Sequence, residues 1–260
     1  MRWARFEKDG TPTYGIVEGD EIEVVDGTPF DSHTRTGTRV SLDSVKLLIP
    51  FEPKTFYAAG LNYVDHVKEY AAMRGETPNI PEKPDIGYRA NNALIAHDED
   101  VVIPKDATDK VQYEGEIVAV IGTQAKHLSE ADALSCVFGY TIGNDVSERT
   151  WQRDDRTFWR AKNADTFKPM GPWIETEVDL DALRTTVRLN GEEIIEFPTN
   201  NMLFGIARYI STMTRYLTLY PGDMIWMGTE GSSKDLKDGD VVEVEINQIG
   251  TLRNRFVRET

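Results

Sequence analysis

Residues 113–149 decide how the chain is read. They carry YEGEIVAVIG (113–122), a connector, and FGYTIGNDVSER (138–149). Glu114 and Glu116 stand two apart at the start of a run rich in β-branched residues. Side chains on a strand alternate faces, so both carboxylates point the same way. Val118 and Val120 continue that face, and the strand passes from a charged mouth into an apolar interior. A second apolar run, 137–146, delivers Asp145 at its end. Placed beside the glutamates, Asp145 would complete a cluster of three anions that raise one another's pKa values. A hard divalent cation relieves that repulsion, and an oxygen-only donor set suits Mg²⁺, Mn²⁺ or Ca²⁺ rather than Zn²⁺ or copper. A lone pair of glutamates at a strand end is also common on a solvated surface, so the assignment depends on the rest of the chain.

The length of 260 residues allows one large domain, or a large and a small one, with a sizeable core. A formal charge of −15 is a poor match for nucleic acid or an anionic membrane. There is no apolar run of transmembrane length and no signal-peptide pattern at the start. The single cysteine, Cys136, excludes an internal disulfide framework and sits in apolar surroundings, as a core thiol does. The expected location is a reducing cytoplasm.

Residues 1–50 read as a small β domain. RWARFE, TYGIVE and EIEVVD are strand candidates broken at Asp9-Gly10, Gly19-Asp20 and Asp26-Gly27. A shift to IPFEPK near 49–54 marks the boundary with a second domain, 51–260. There, Asn62 is placed to start a helix, with Asp65 three positions on and Gly75 as its stop. His66 and Glu69 share one face of that helix, as a base and its orienting carboxylate would, or as a surface pair. The charged, proline-broken stretch 73–85 reads as a connector or lid. Ser129 and Asp132 suggest a short capped helix, Asn190-Gly191 a hairpin turn, and the stripe Met202, Ile206, Tyr209, Ile210, Met213, Leu217 a core-facing helix over 200–217. Arg89, Asn91, Arg149, Gln152, Lys162 and Asp165 are further polar candidates. Strands dominate without a regular βαβ alternation, which predicts an α+β fold with a rolled mixed sheet. No phosphate-binding glycine loop is present.

Six segments in series resemble the fumarylacetoacetate hydrolase family: NYVDHVKE (62–69), YEGEIVAVIG (113–122), GYTIGNDVSER (139–149), KNADTFKPMGPWI (162–174), LNGE (189–192) and LYPGDMIWMGT (219–229). The similarity lies toward its acylpyruvase and 2-hydroxyhepta-2,4-diene-1,7-dioate isomerase-like branch. It implies a mixed β-roll with peripheral helices behind a small N-terminal β domain, in a homodimer. It further implies Mg²⁺ or Mn²⁺ on Glu114, Glu116 and Asp145, and a water-activating dyad of His66 and Glu69. Lys162 takes the place of the active-site lysine, and Arg149, Gln152 and Thr229 match positions near the substrate. Two departures stand out. Glu230-Gly231-Ser232-Ser233 follows Gly228-Thr229 where the family usually has proline and a glycine loop, which adds an anion beside the site. Tyr88-Arg89-Ala90-Asn91 replaces a Phe-x-Lys-Pro segment, with Arg89 keeping a positive charge there. The implied activity is metal-assisted C–C hydrolysis of a 2,4-dioxo acid. The alternatives are a decarboxylase or an isomerase/hydratase of a 2-oxo dioic acid, or a non-catalytic metal-stabilised binding protein.

Overall fold

Strand pairing places the two ends of the deciding stretch side by side. In the computed structural model, which describes residues 1–231 and 233–260 without the side chains of Met73 and Arg74, strand Gly115–Ile121 pairs antiparallel with Val137–Asn144. Gly115 lies opposite Asn144 and Glu116 opposite Gly143. Two hydrogen bonds pin the end of this ladder: Glu114 N–H donates to Asn144 Oδ1 at 3.0 Å, and Asp145 N–H donates to the Glu114 carbonyl at 2.9 Å.

This pair sits inside a long mixed sheet. Its order is His33–Ser41, Glu21–Gly27, Thr11–Glu18, Arg2–Lys8, Lys168–Glu175, Val137–Asn144, Gly115–Ile121, Met224–Trp226, Phe56–Ala59, Ile86–Tyr88, with Leu94–Ile95 added beside Lys168–Glu175. The N-terminal strands therefore continue the main sheet through Arg2 opposite Glu175 and Trp3 opposite Ile174. A second sheet runs Glu192–Pro198, Arg184–Leu189, Val241–Ile246, Gly250–Arg258, Val101–Ile103. With three α-helices among the described residues, Val64–Arg74 (α1), Arg149–Asp154 (α2) and Ile206–Thr214 (α3), this is the α+β architecture expected.

Alternation along Gly115–Ile121 sorts the core into two layers. Ile117, Ala119 and Ile121 pack with α3 and the second sheet, while Val118 and Val120 pack with Trp3, Met170, Met224 and Trp226. Gly143 is required on this second face, because a Cβ there would meet the Trp226 ring at 2.6 Å. Cys136 is buried in the first layer.

Some elements differ from the sequence expectation. Asn62 does not cap α1. It is buried, its amide donates to the carbonyls of Phe204 (3.1 Å) and Met227 (2.9 Å), and its Oδ1 accepts Phe204 N–H at 3.0 Å. The residue before α1 is Tyr63, which offers no side-chain cap. At the other end Gly75 does stop the helix, in the left-handed conformation that glycine adopts without strain. The same Asn62 shortens α3: its backbone and side chain take the N–H groups of Leu203 and Phe204, so the helix starts only at Ile206. Ser129 and Asp132 do bond each other, yet they lead into a turn and the 3₁₀ segment Ala133–Cys136. Asn190 (φ 54°) and Gly191 (φ 82°) form the expected hairpin turn, both in the left-handed region. A fourth N-terminal strand, His33–Ser41, is exposed almost throughout and carries no alternation to reveal it.

Candidate active site

Glu114, Glu116 and Asp145 converge, each with a carboxylate oxygen within 4.8 Å of the others, and all three are buried. They lie at the base of a cavity of about 930 Å³. His66, Tyr70, Arg89, Gln152, Phe158, Lys162 and Thr229 line it together with the segment from Glu76 to Asp85.

Four basic groups surround the carboxylates, two buried lysines and two partly buried arginines. Lys162 Nζ bridges Glu114 Oε2 (2.5 Å) and Asp145 Oδ2 (2.8 Å). Arg149 Nη1 lies 2.7 Å from Glu114 Oε1. It is aimed from α2, whose first turn Glu148 caps through Trp151 N–H, and is braced by Gln112 and Gln152. Arg89 Nη2 lies 2.8 Å from Asp145 Oδ2, and Lys168 Nζ 2.7 Å from Asp145 Oδ1. Arg89 thus supplies the charge expected of it. Lys168 was not singled out from the sequence, where it reads as the first residue of an apolar strand.

The cations split the three acids. Burial alone would raise Glu114, but Lys162 and Arg149 outweigh it and bring the carboxyl down to about 2. Burial opposes Asp145 likewise, and Arg89, Lys162 and Lys168 hold it well below the usual range. Glu116 goes the other way: burial, then the charges of Asp145 and Glu114, push it to about 8. The upward shift expected for all three therefore survives at Glu116 alone, where repulsion adds to burial. Its Oε2 accepts the Gly228 N–H at 2.7 Å. Burial lowers Lys168 to about 7 against the pull of Asp145.

His66 enters from α1. Its Nδ1 lies 3.2 Å from the Gly231 carbonyl and its Nε2 3.6 Å from Glu114 Oε1. A carbonyl only accepts, so Nδ1 carries the proton and Nε2 presents its lone pair toward the acids. Burial lowers the imidazole's pKa, which keeps it neutral at neutral pH. Gly231 and Glu114 are thus partners of the ring, and Glu69, half-buried, follows one turn later on α1.

Glu230 is not turned into the substrate space as an added anion. Its Oε1 accepts Asp65 N–H at 3.2 Å in the first turn of α1, and its Oε2 accepts Asn201 Nδ2 at 2.9 Å. Asp165 is exposed and bonded to Asn92, and Asn91 donates to the Pro53 carbonyl, so both serve local structure. Of the aromatic residues near these motifs, Tyr63 and Trp151 are core and Trp159 is 67% exposed.

Comparison with known proteins agrees with this architecture. A family model described as fumarylacetoacetate (FAA) hydrolase C-terminal matches residues 55–257, and one described as Rv2993c-like, N-terminal matches residues 1–50. A 2,4-didehydro-3-deoxy-L-rhamnonate hydrolase from Sphingomonas sp. is 35% identical, the match covering 98% of this chain and 95% of the relative. The crystal structure of 5-carboxymethyl-2-hydroxymuconate delta-isomerase from Mycobacterium smegmatis superposes with a TM-score of 0.90 at 35% identity, over 100% of both chains. Maleylpyruvate hydrolase from Sphingobium sp. SYK-6, solved with manganese(II) and pyruvate, superposes at 0.80 with 26% identity, also over 100% of both chains. The chain belongs to the fumarylacetoacetate hydrolase family. Members named in these comparisons are enzymes that hydrolyse or isomerise small acids.

The three carboxylates fit a divalent cation. They are hard oxygen donors, buried and convergent, at the foot of a cavity wide enough for a small acid. Among the described residues no helix is long and apolar enough to cross a membrane.

Proposed function

We propose that this protein hydrolyses the C–C bond of a 2,4-dioxo acid of the acylpyruvate or fumarylpyruvate kind, with Mg²⁺ or Mn²⁺ held by Glu114, Glu116 and Asp145. The observation that carries the reading is the place of His66, whose Nε2 lies 3.6 Å from Glu114 at the carboxylate cluster while Nδ1 is held by the Gly231 carbonyl, in a buried setting that favours the neutral ring. When bound, the cation supplies Lewis-acid polarisation of the substrate's 2-oxo group. His66 Nε2 takes a proton from water, and the resulting hydroxide attacks the C4 carbonyl. The C3–C4 bond then breaks, its electron pair leaving as the pyruvate enolate and the acyl carbon departing as a carboxylic acid. Lys162, already between Glu114 and Asp145, stabilises the enolate charge. Gln152, Thr229 and Arg89 line the cavity where the substrate's oxygens would lie, and Arg149 fixes Glu114. Glu69 is assigned the second carboxylate of the base, one turn along the same helix face.

The likeness to the mycobacterial isomerase supports a second reading, in which the same base takes a proton from one carbon and returns it to another, and no carbon–carbon bond is cut. One assay separates the two. Metal-stripped protein is re-supplied with Mg²⁺ or Mn²⁺ and given acylpyruvates, fumarylpyruvate and oxaloacetate. Metal-dependent release of pyruvate with a second acid supports hydrolysis. Carbon dioxide alone, or loss of enol absorbance without a cleavage product, overturns it in favour of decarboxylation or isomerisation.

A further inference from the structure

Lys168 opens strand Lys168–Glu175, and its side chain has no exposed surface, so substrate cannot reach it. Oxygens hold its ammonium from three sides. It donates to the carbonyls of Val146 (2.9 Å) and Phe167 (2.8 Å), and it lies 2.7 Å from Asp145 Oδ1. The two carbonyls belong to backbone flanking neighbouring strands. They would keep Nζ at this point whichever way Asp145 turned. Lys168 is therefore the fixed partner and the short aspartate side chain the adjustable one. Arg89 Nε reaches both oxygens of Asp145, Oδ1 at 3.2 Å and Oδ2 at 3.3 Å, but only Oδ2 also meets Lys162 Nζ (2.8 Å) and Arg89 Nη2 (2.8 Å), groups of two side chains that line the cavity.

We propose that Lys168 is a positioning residue of the metal centre, which anchors Asp145 through Oδ1 and leaves Oδ2 as the oxygen presented to a divalent cation shared with Glu114 and Glu116. The proposal rests on reading these three carboxylates as the cation site. It is distinct from charge balance, and the two roles make opposite demands. A buried ammonium this close repels a second cation. If Lys168 only balanced charge, its removal would tighten divalent metal binding. If it positions Asp145, its removal weakens binding, as loss of groups that orient metal ligands commonly does.

The test is calorimetric titration of metal-free, full-length protein with Mn²⁺, wild type against K168M, with circular dichroism to verify folding. The expected result is a Kd raised about tenfold to a hundredfold in K168M. A Kd that is unchanged or lower overturns the proposal. Wild-type protein that takes up no Mn²⁺ overturns the metal reading itself, a different outcome from equal binding by both forms. Should K168M fail to fold, infrared difference spectra of wild-type protein labelled with ¹³C at the aspartate side-chain carboxyl give an independent answer. Adding Mn²⁺ is expected to produce the wide carboxylate splitting of one-oxygen ligation. The narrow splitting of two-oxygen ligation would overturn the assignment.

Discussion

The carboxylate of Glu230 accepts the backbone N–H of Asp65 at 3.2 Å, so a loop 165 residues further along the chain caps the helix that carries His66. Tyr63 offers that helix no side-chain cap, and an anion at a helix N-terminus is favourable both as an acceptor and against the helix dipole. The neighbouring Gly231 carbonyl holds His66 Nδ1, and Gly228 N–H holds Glu116. Replacing Glu230 by alanine is expected to lower unfolding free energy by about 1 kcal/mol and to reduce kcat, with E230Q milder in both. Urea unfolding and steady-state kinetics on the three proteins check this. Wild-type stability in E230A would mean the cap contributes nothing.

His66 should set the acid limb of activity. The substitution H66A is expected to cut turnover by about 10²- to 10⁴-fold while leaving Mn²⁺ binding intact. Burial places the folded pKa of His66 below its ordinary value near 6.5. As pH falls, the unfolded chain therefore takes up this proton before the folded one does. The contribution to stability is complete above about pH 6.5 and is lost as pH drops from there. Between pH 7.5 and 5.5, wild type should lose more unfolding free energy than H66Q; an identical loss would place the imidazole in solvent.

Metal should stabilise the fold by mass action. Mn²⁺ at a hundredfold excess over its Kd is expected to add about 2.7 kcal/mol to unfolding, and EDTA to remove it. Thermal melts with and without the ion test this, with E116Q as the control that should lose the shift. A melt indifferent to Mn²⁺ would leave the acid cluster without a ligand role.

Closure over the site is the fourth expectation. The segment from Glu76 to Asp85 follows directly on α1 and forms one wall of the cavity. A substrate analogue with Mn²⁺ should slow amide exchange in residues 73–85, as a lid that excludes bulk water would. Equal exchange rates in the two states would make this wall a static one.

How much of this was legible in the sequence follows from the range of each signal. The acids Glu114 and Glu116 announce themselves by alternation within one strand, and Asp145 by its place at the end of the next. The two runs are antiparallel neighbours, so their ends had to meet. Lys168 gave no such signal. Its role appears only when Val137–Asn144 and Lys168–Glu175 pair, with Gly143 opposite Met170, and bring its ammonium behind Asp145. Glu230 read as an anion near the substrate because its partner, the backbone of Asp65, has no mark in the sequence. Asn62 was read as a local cap for the same reason; its bonds run to Phe204 and Met227, far along the chain. Short-range patterns survive folding where strands alternate, and long-range hydrogen bonds override them where loops cross.

Two family segments meet in this chain, yet Trp3, Ile16 and Val25 share one apolar cluster with Val118, Met170, Met224 and Trp226. The N-terminal strands also complete the edge of the strand that Lys168 opens. Cutting the chain near residue 50 would uncover that edge and hollow out the layer that backs the carboxylates. In thermodynamic terms the two segments should behave as one cooperative unit, with denaturant melting them in a single transition reported alike by Trp3 and Trp226.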